Sequence, residues 1–191
     1  MVFKMIIKHL LTFRTLVLPP WISYSSTSNK VNLIPWDSVF SLTKVGEYHE
    51  VISMEEFMDN LADSIWPVED RVSFCYTSRP GDQSESCNAK HGSPFGPFWD
   101  SFGVNFVTSK MYAPLNFNTN SHNIQRWKEM FPINQYPVLA MTGAPASFPV
   151  SEEHVSLQNY ITWTQDWVDK ADQWIERNMG GQVDYLGLHF R

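Results

Sequence analysis

The chain has 191 residues, 14 of them basic and 20 acidic, for a formal net charge of −6. At 43% hydrophobic it is too apolar for intrinsic disorder, and it is long enough to bury a core as one domain without a disulfide scaffold. The acidic balance argues against nucleic-acid binding, which needs a basic footprint, and leaves room for one local cationic spot that holds a phosphate.

Met1–Pro20 contains Met5-Ile6-Ile7 and Leu10-Leu11, split by Lys8 and His9. Neither the unbroken apolar segment nor the small-residue cleavage site of a secretory signal is clean here, so it reads as a poor signal peptide. No apolar run is long enough to span a membrane, and no Asn-x-Ser/Thr acceptor occurs. Thr15–Leu18, stopped by Pro19-Pro20, reads as a buried strand. A Ser-rich loop follows at 24–30. Ser53-Met54-Glu55-Glu56 is a capping box, and Phe57, Met58, Leu61 and Ala62 continue it as a short amphipathic helix that Pro67 stops. Val72, Phe74 and Tyr76 alternate as in a strand. Cys75 and Cys87 flank a polar, turn-rich loop. Their spacing is no zinc pattern, and a disulfide and two reduced thiols are equally open on spacing alone.

Gly92–Asp100 reads as an ordered loop with aromatic anchors at Phe95, Phe98 and Trp99. A helical turn or two is expected over 124–131, and a second apolar strand over 138–141. Glu152–Tyr160 is expected to be helical. Thr164 looks like an N-cap for a helix ended by Gly180-Gly181, with Trp167, Val168, Ala171, Trp174 and Ile175 as its core stripe. The last strand is expected at Tyr185–Arg191. Strands alternate with helices, which predicts an α/β domain with a mostly parallel sheet and no linker dividing the chain.

Such a sheet binds its ligand beyond the carboxyl ends of its strands. His189 and Arg191 lie there, two residues apart and so on one face. An Arg fork matches phosphate oxygens bidentately, and such a pair suits a departing diphosphate. The plainer alternative, an Arg pairing with a surface carboxylate, is the commoner use of such a position. His49 reads as structural, Asp100 as a turn or cap residue, and Glu152-Glu153 as acids favoured at a helix start. Ser156 has His154 nearby but no nucleophile elbow. No phosphate loop and no metal-ligand cluster is visible, so neither is expected.

Several stretches together resemble the GDP-fucose protein O-fucosyltransferase family, specifically the N-terminal half of its EGF-repeat-modifying, type-one branch. They are Arg14–Ile22, Glu47–Met58, Trp66–Val72, Pro94–Asp100, Pro137–Ala140, Gly143–His154 and Gly187–Arg191, in the family's order. The resemblance covers residues 13–191, with 1–12 divergent. It implies a Rossmann-like lobe of a GT-B-type glycosyltransferase and transfer of fucose from GDP-fucose, with inversion, to Ser or Thr of EGF-like repeats. The implied setting is the endoplasmic reticulum, with secreted or cell-surface partners such as Notch receptors. Neither nucleic acid nor a membrane span is implied, and no cofactor is expected beyond the GDP-fucose donor.

The family's Gly-x-His-x-Arg strand end is matched by Gly187, His189 and Arg191. The resemblance gives Arg191 the β-phosphate side of GDP, as the catalytic residue that helps the diphosphate leave, and His189 a donor contact. It also implies a disulfide between Cys75 and Cys87. Two departures stand beside it. The family's Gly-Arg-Phe-Gly-Asn-Gln segment has no counterpart, and Phe13 replaces the Asn of a glycosylation acceptor. A second lobe is not represented before Arg191, so the 191 residues alone are expected to be inactive. The alternative function is non-catalytic binding or chaperoning of EGF-like repeats.

Overall fold

Strand β1, Leu16–Leu18, buries Leu16 and Leu18 and pairs in parallel with β4, Val51–Ser53, in the register Leu16↔Val51 and Leu18↔Ser53. The computed structural model describes residues 14–23, 32–76, 87–91, 95–112, 120–141 and 152–180, except the side chains of Tyr76, Glu153 and His154. Pro19 and Pro20 end β1 and lead into an antiparallel pair, β2 (Trp21–Ser23) with β3 (Asn32–Ile34). A 3₁₀ turn at Trp36–Ser38 and helix α1, Leu42–Tyr48, return the chain to β4. Val45 anchors α1 with no exposed surface.

Ser53 caps helix α2, Met54–Asn60, as its sequence predicts: its hydroxyl accepts from the Glu56 amide at 3.0 Å. After a break at Leu61, the single turn α3, Ala62–Ile65, delivers Trp66 into the core at 1% exposure. The chain then enters β5, Val72–Tyr76, the centre of a parallel three-stranded sheet. Its neighbours are β6 (Thr108–Tyr112) and β7 (Ala140–Met141), with Val72↔Thr108 and Ser73↔Ala140 in register.

This sheet is covered on both faces, as parallel sheets are. Phe74 and Tyr112 pack with Trp127 and Phe131, and Met141 joins that cluster. The adjacent Ala140 points the other way, into a cluster of Met54, Phe57, Ala62, Trp66, Trp99 and Val104. A third cluster, Leu16, Leu18, Trp36 and Phe40, lies under β1.

Several expectations change. The aromatic segment at 95–101 is a helix, α4 (Phe95–Ser101), not a loop. Pro97 falls in its first turn, where a missing amide hydrogen costs nothing, and Trp99 is buried among Trp66 and Phe106. Helix α5, Ser121–Met130, starts earlier than its apolar pattern suggests, because Asn120 caps it by accepting from the Asn123 amide. The strand expected at 138–141 is reduced to the two residues of β7. Glu152–Tyr160 is helical but of the 3₁₀ kind.

The largest correction concerns α6, Gln165–Met179. Thr164 precedes it and Gly180 ends it in the left-handed region at φ 74°, as expected. Its stripe is not core, however: Trp167, Val168 and Trp174 are 46%, 38% and 59% exposed. Periodicity identifies a face that wants to be covered, not what covers it. The β2–β3 pair and β6 carry no strand signal that stands out, since β6 reads Thr-Ser-Lys-Met-Tyr and fully buries only Tyr112. Among the described residues no helix is long and apolar enough to cross a membrane.

Candidate functional site

The ligand edge of a parallel sheet lies at the carboxyl ends of its strands. Here those ends are Leu18, Ser53, Tyr76, Tyr112 and Met141. From Ser53 the chain turns directly into the capped α2, and from Leu18 into Pro19-Pro20. The continuations of β5, β6 and β7 lie outside the described residues. So do Gly187, His189 and Arg191, together with the Gly143–Ser151 stretch.

The two cysteines are joined, with Cα atoms 6.3 Å apart. Cys75 sits in β5 at 7% exposure, so the bond ties the carboxyl end of the central strand to the turn that begins at Cys87. That turn is seated on α4. Ala89 is 2% exposed, and a Cβ at Gly96 would lie 2.8 Å from the Lys90 carbonyl oxygen, so only glycine admits this approach. Lys90 then reaches across to Asp100 and Asn105 through its ammonium. Asp100 therefore anchors this turn, in keeping with the structural role expected of it.

The cationic groups of the described residues near the strands are held by the protein itself. The Arg14 guanidinium donates to the carbonyl oxygens of Phe131, Tyr136 and Pro137, fastening the start of β1 to the segment before β7. Burial lowers its pKa from the ordinary arginine value. Arg71 is buried, donates to the Trp66 carbonyl at 3.2 Å and lies 5.4 Å over the Trp66 ring. Lys110 on β6 donates to the Tyr136 hydroxyl and lies over its ring. His49 is buried with Nε2 3.0 Å from the Arg14 carbonyl oxygen, the structural role its sequence suggests.

Sequence reasoning did not single out Arg14, Lys90 or Lys110. Their partners lie 10 to 123 residues away in sequence, and nothing in local pattern signals them. Among the described residues no group of three or more His, Cys, Asp or Glu could hold a metal ion. What the described residues build is a positioned sheet edge: strands, caps and a disulfide-held turn that fix where the three β5–β7 connections begin.

On that geometry, comparisons with known proteins agree with one another. The family model described as GDP-fucose protein O-fucosyltransferase matches residues 2–191. The chain is 35% identical over 185 residues to GDP-fucose protein O-fucosyltransferase 1 of Caenorhabditis elegans, covering 93% of this chain and 46% of that protein. Among solved structures, POFUT1 in complex with GDP-fucose is similar with a TM-score of 0.77 at 33% identity, over 92% of this chain and 50% of that one. Its apo form gives 0.75 at 32% identity. The chain thus spans about half the length of the relatives it matches. The α/β lobe of GT-B type that the sequence implied is the fold observed.

Proposed function

The chain belongs to the GDP-fucose protein O-fucosyltransferase family, and from that premise we propose that it supplies the Rossmann-like lobe, residues 13–191, of an enzyme transferring fucose from GDP-fucose to Ser or Thr. The acceptors in this reading are EGF-like repeats, those of Notch receptors among them, inside the endoplasmic reticulum. The observation that carries it is the likeness, at 33% identity over 92% of the chain, to a solved relative that holds GDP-fucose.

In the proposed reaction the acceptor hydroxyl attacks the fucose anomeric carbon as its bond to the β-phosphate oxygen breaks, inverting that carbon. Negative charge grows on the departing GDP. The Arg191 guanidinium, a permanent cation with a bidentate fork, stabilises that charge where it develops. His189, two residues before it in the sequence, contacts the donor in this reading. The Cys75–Cys87 bond and the Lys90–Asp100 contact have a supporting role, holding the entrance to the β5 connection in one place. Transfer by these 191 residues alone is negligible in this reading, because orienting donor and acceptor takes both walls of a cleft.

Calorimetric titration of GDP into the 191-residue chain tests the donor site. The expected result is binding that Arg191→Ala weakens by about tenfold or more, the loss of a charge-assisted bidentate contact. Absence of binding to a chain whose circular dichroism shows it folded would overturn the donor assignment. Fucosylation of an EGF-like repeat by the same chain, lost in Arg191→Ala, would refute the proposed inactivity while keeping the family reading.

A further inference from the structure

Helix α6 has 15 residues and buries none of them. Trp167, Val168, Ala171, Trp174 and Ile175 recur along it at helical spacing, and the first four are exposed in the whole 191-residue chain. A helix of this length draws its stability from packing such a stripe rather than from propensity. Its amino end is firmly attached. The Thr164 amide donates to the Val39 carbonyl at 3.0 Å, the Trp167 indole nitrogen donates to the Ser38 carbonyl at 2.9 Å, and the Trp163 ring stacks on Phe40 with centroids 4.7 Å apart. These contacts fix where the helix starts and leave the stripe outward.

We propose that this stripe docks a second copy of the chain, the two α6 helices packing antiparallel about a two-fold axis at Ala171. Three features favour a copy as the occupant. The first is shape. Ala171 is the smallest side chain of the stripe and stands at its middle, with Val168 and Trp167 three and four residues before it and Trp174 and Ile175 three and four after. In an antiparallel pair centred there, Trp167 meets Trp174 of the second copy and Val168 meets its Ile175. Each contact is made twice, as an isologous interface requires. Alanine at the crossing admits an axial separation at the short end of the usual range, about 8 Å. The second feature is charge. Arg177 lies six residues after Ala171 and Asp166 five before, so each comes alongside the other across the axis, on the indole side. Lys170, which falls near its own copy, is drawn back by Asp166 at 2.6 Å and lies 5.1 Å over the Trp167 ring. The third is area. Two indoles about half open, with Val168, Ala171 and the charged flanks, present roughly 500 Å² per copy. The pair buries about 1,000 Å², the lower bound for a specific interface, which suits a weak, reversible dimer. This packing is independent of the donor chemistry proposed above.

The test uses the full 191-residue chain with Cys75 and Cys87 bonded, so that one introduced cysteine is the sole free thiol. Helix radii of about 2.3 Å and an axial separation of about 8–10 Å leave the two Ala171 Cα atoms about 3.5–5.5 Å apart, which overlaps the disulfide range. Ala171→Cys is therefore expected to oxidise to a covalent dimer in most molecules, and Asp169→Cys, on the opposite side of the helix, several-fold less. In sedimentation velocity the mass of the parent is expected to rise from monomer toward dimer between about 1 and 100 μM. Trp174→Asp, a change at an exposed position whose folding circular dichroism verifies, is expected to hold it at monomer. Equal cross-linking at 169 and 171, or a dimer that Trp174→Asp leaves intact, would overturn the proposal. So would a parent that stays monomeric throughout; protection of its 165–179 amides from hydrogen exchange would then identify the chain itself as the occupant.

Discussion

Removing the Cys75–Cys87 bond is the sharpest probe of how the central strand's end is held. The bridge closes a loop with a sequence separation of 12. On the chain-entropy relation, a loop of that size removes about 9.5 cal/mol/K from the unfolded ensemble, which is about 2.8 kcal/mol at 25 °C. Cys75→Ala/Cys87→Ala should therefore lose about 3 kcal/mol, with a smaller addition for the sulfur buried at Cys75. For a chain of this length each kcal/mol moves the melting temperature by roughly 2–4 °C, so a drop of about 6–12 °C is expected. Differential scanning calorimetry of the oxidised chain, the reduced chain and the double variant measures it. Reduction of the parent should reproduce the variant's melting temperature. A drop below about 2 °C in both would refute the reasoning, because the loop's ends would then be held by other contacts even when unfolded.

Gly96→Ala tests the close approach of the 87–91 turn to α4. Alanine ordinarily stabilises a helix interior by about 0.5–1 kcal/mol, but here its methyl group meets the Lys90 carbonyl oxygen, so a net loss of about 1–3 kcal/mol is expected; a gain on denaturant titration would contradict the contact. Arg14→Met should cost about 1.5–3 kcal/mol, because three carbonyl oxygens lose one shared cationic donor, and chemical denaturation would show it as a lower midpoint at unchanged slope. Tyr48 offers a pH signature. Burial and then neighbouring Tyr160 raise its pKa above the ordinary 10.0. Above pH 10 the unfolded chain gives up this proton before the folded one does, so stability falls as pH rises through that range. Tyr48→Phe should flatten that fall and leave stability at neutral pH equal or higher, since the hydroxyl is buried without a hydrogen-bond partner among the described residues. Parallel alkaline profiles of parent and variant would count against the assignment.

Much of the local structure was readable. The Ser53 cap, the Pro67 stop, the β1 and β5 strands and the Gly180 end of α6 follow from side-chain chemistry acting within a few residues, and they stand where that chemistry puts them; Thr164 occupies the N-cap position of α6, but its hydroxyl makes no capping hydrogen bond. The expectation that His189 and Arg191 contact the donor rests on resemblance to a family, since spacing alone favours the plainer reading, and it falls on residues outside the described part of the chain. Other features resisted reading for a physical reason. The 95–101 segment is dense in Gly, Pro and Phe, which looks like a loop until Trp99 has a core to enter. Two-residue β7 is a strand because β5 lies beside it, not because Ala-Met favours one.

The sequence by itself determined the class of fold, the elements with strong caps or alternation, and the family, because each rests on short-range preferences or on an ordered set of motifs. Tertiary structure alone decided that Arg14 clasps carbonyls more than a hundred residues away, that Lys90 answers Asp100, and that Gly96 must lack a side chain. It also decided that the α6 stripe faces outward. Periodicity along one helix defines an apolar face, whereas burial is a property of two surfaces, and the second surface is set by the path of the whole chain.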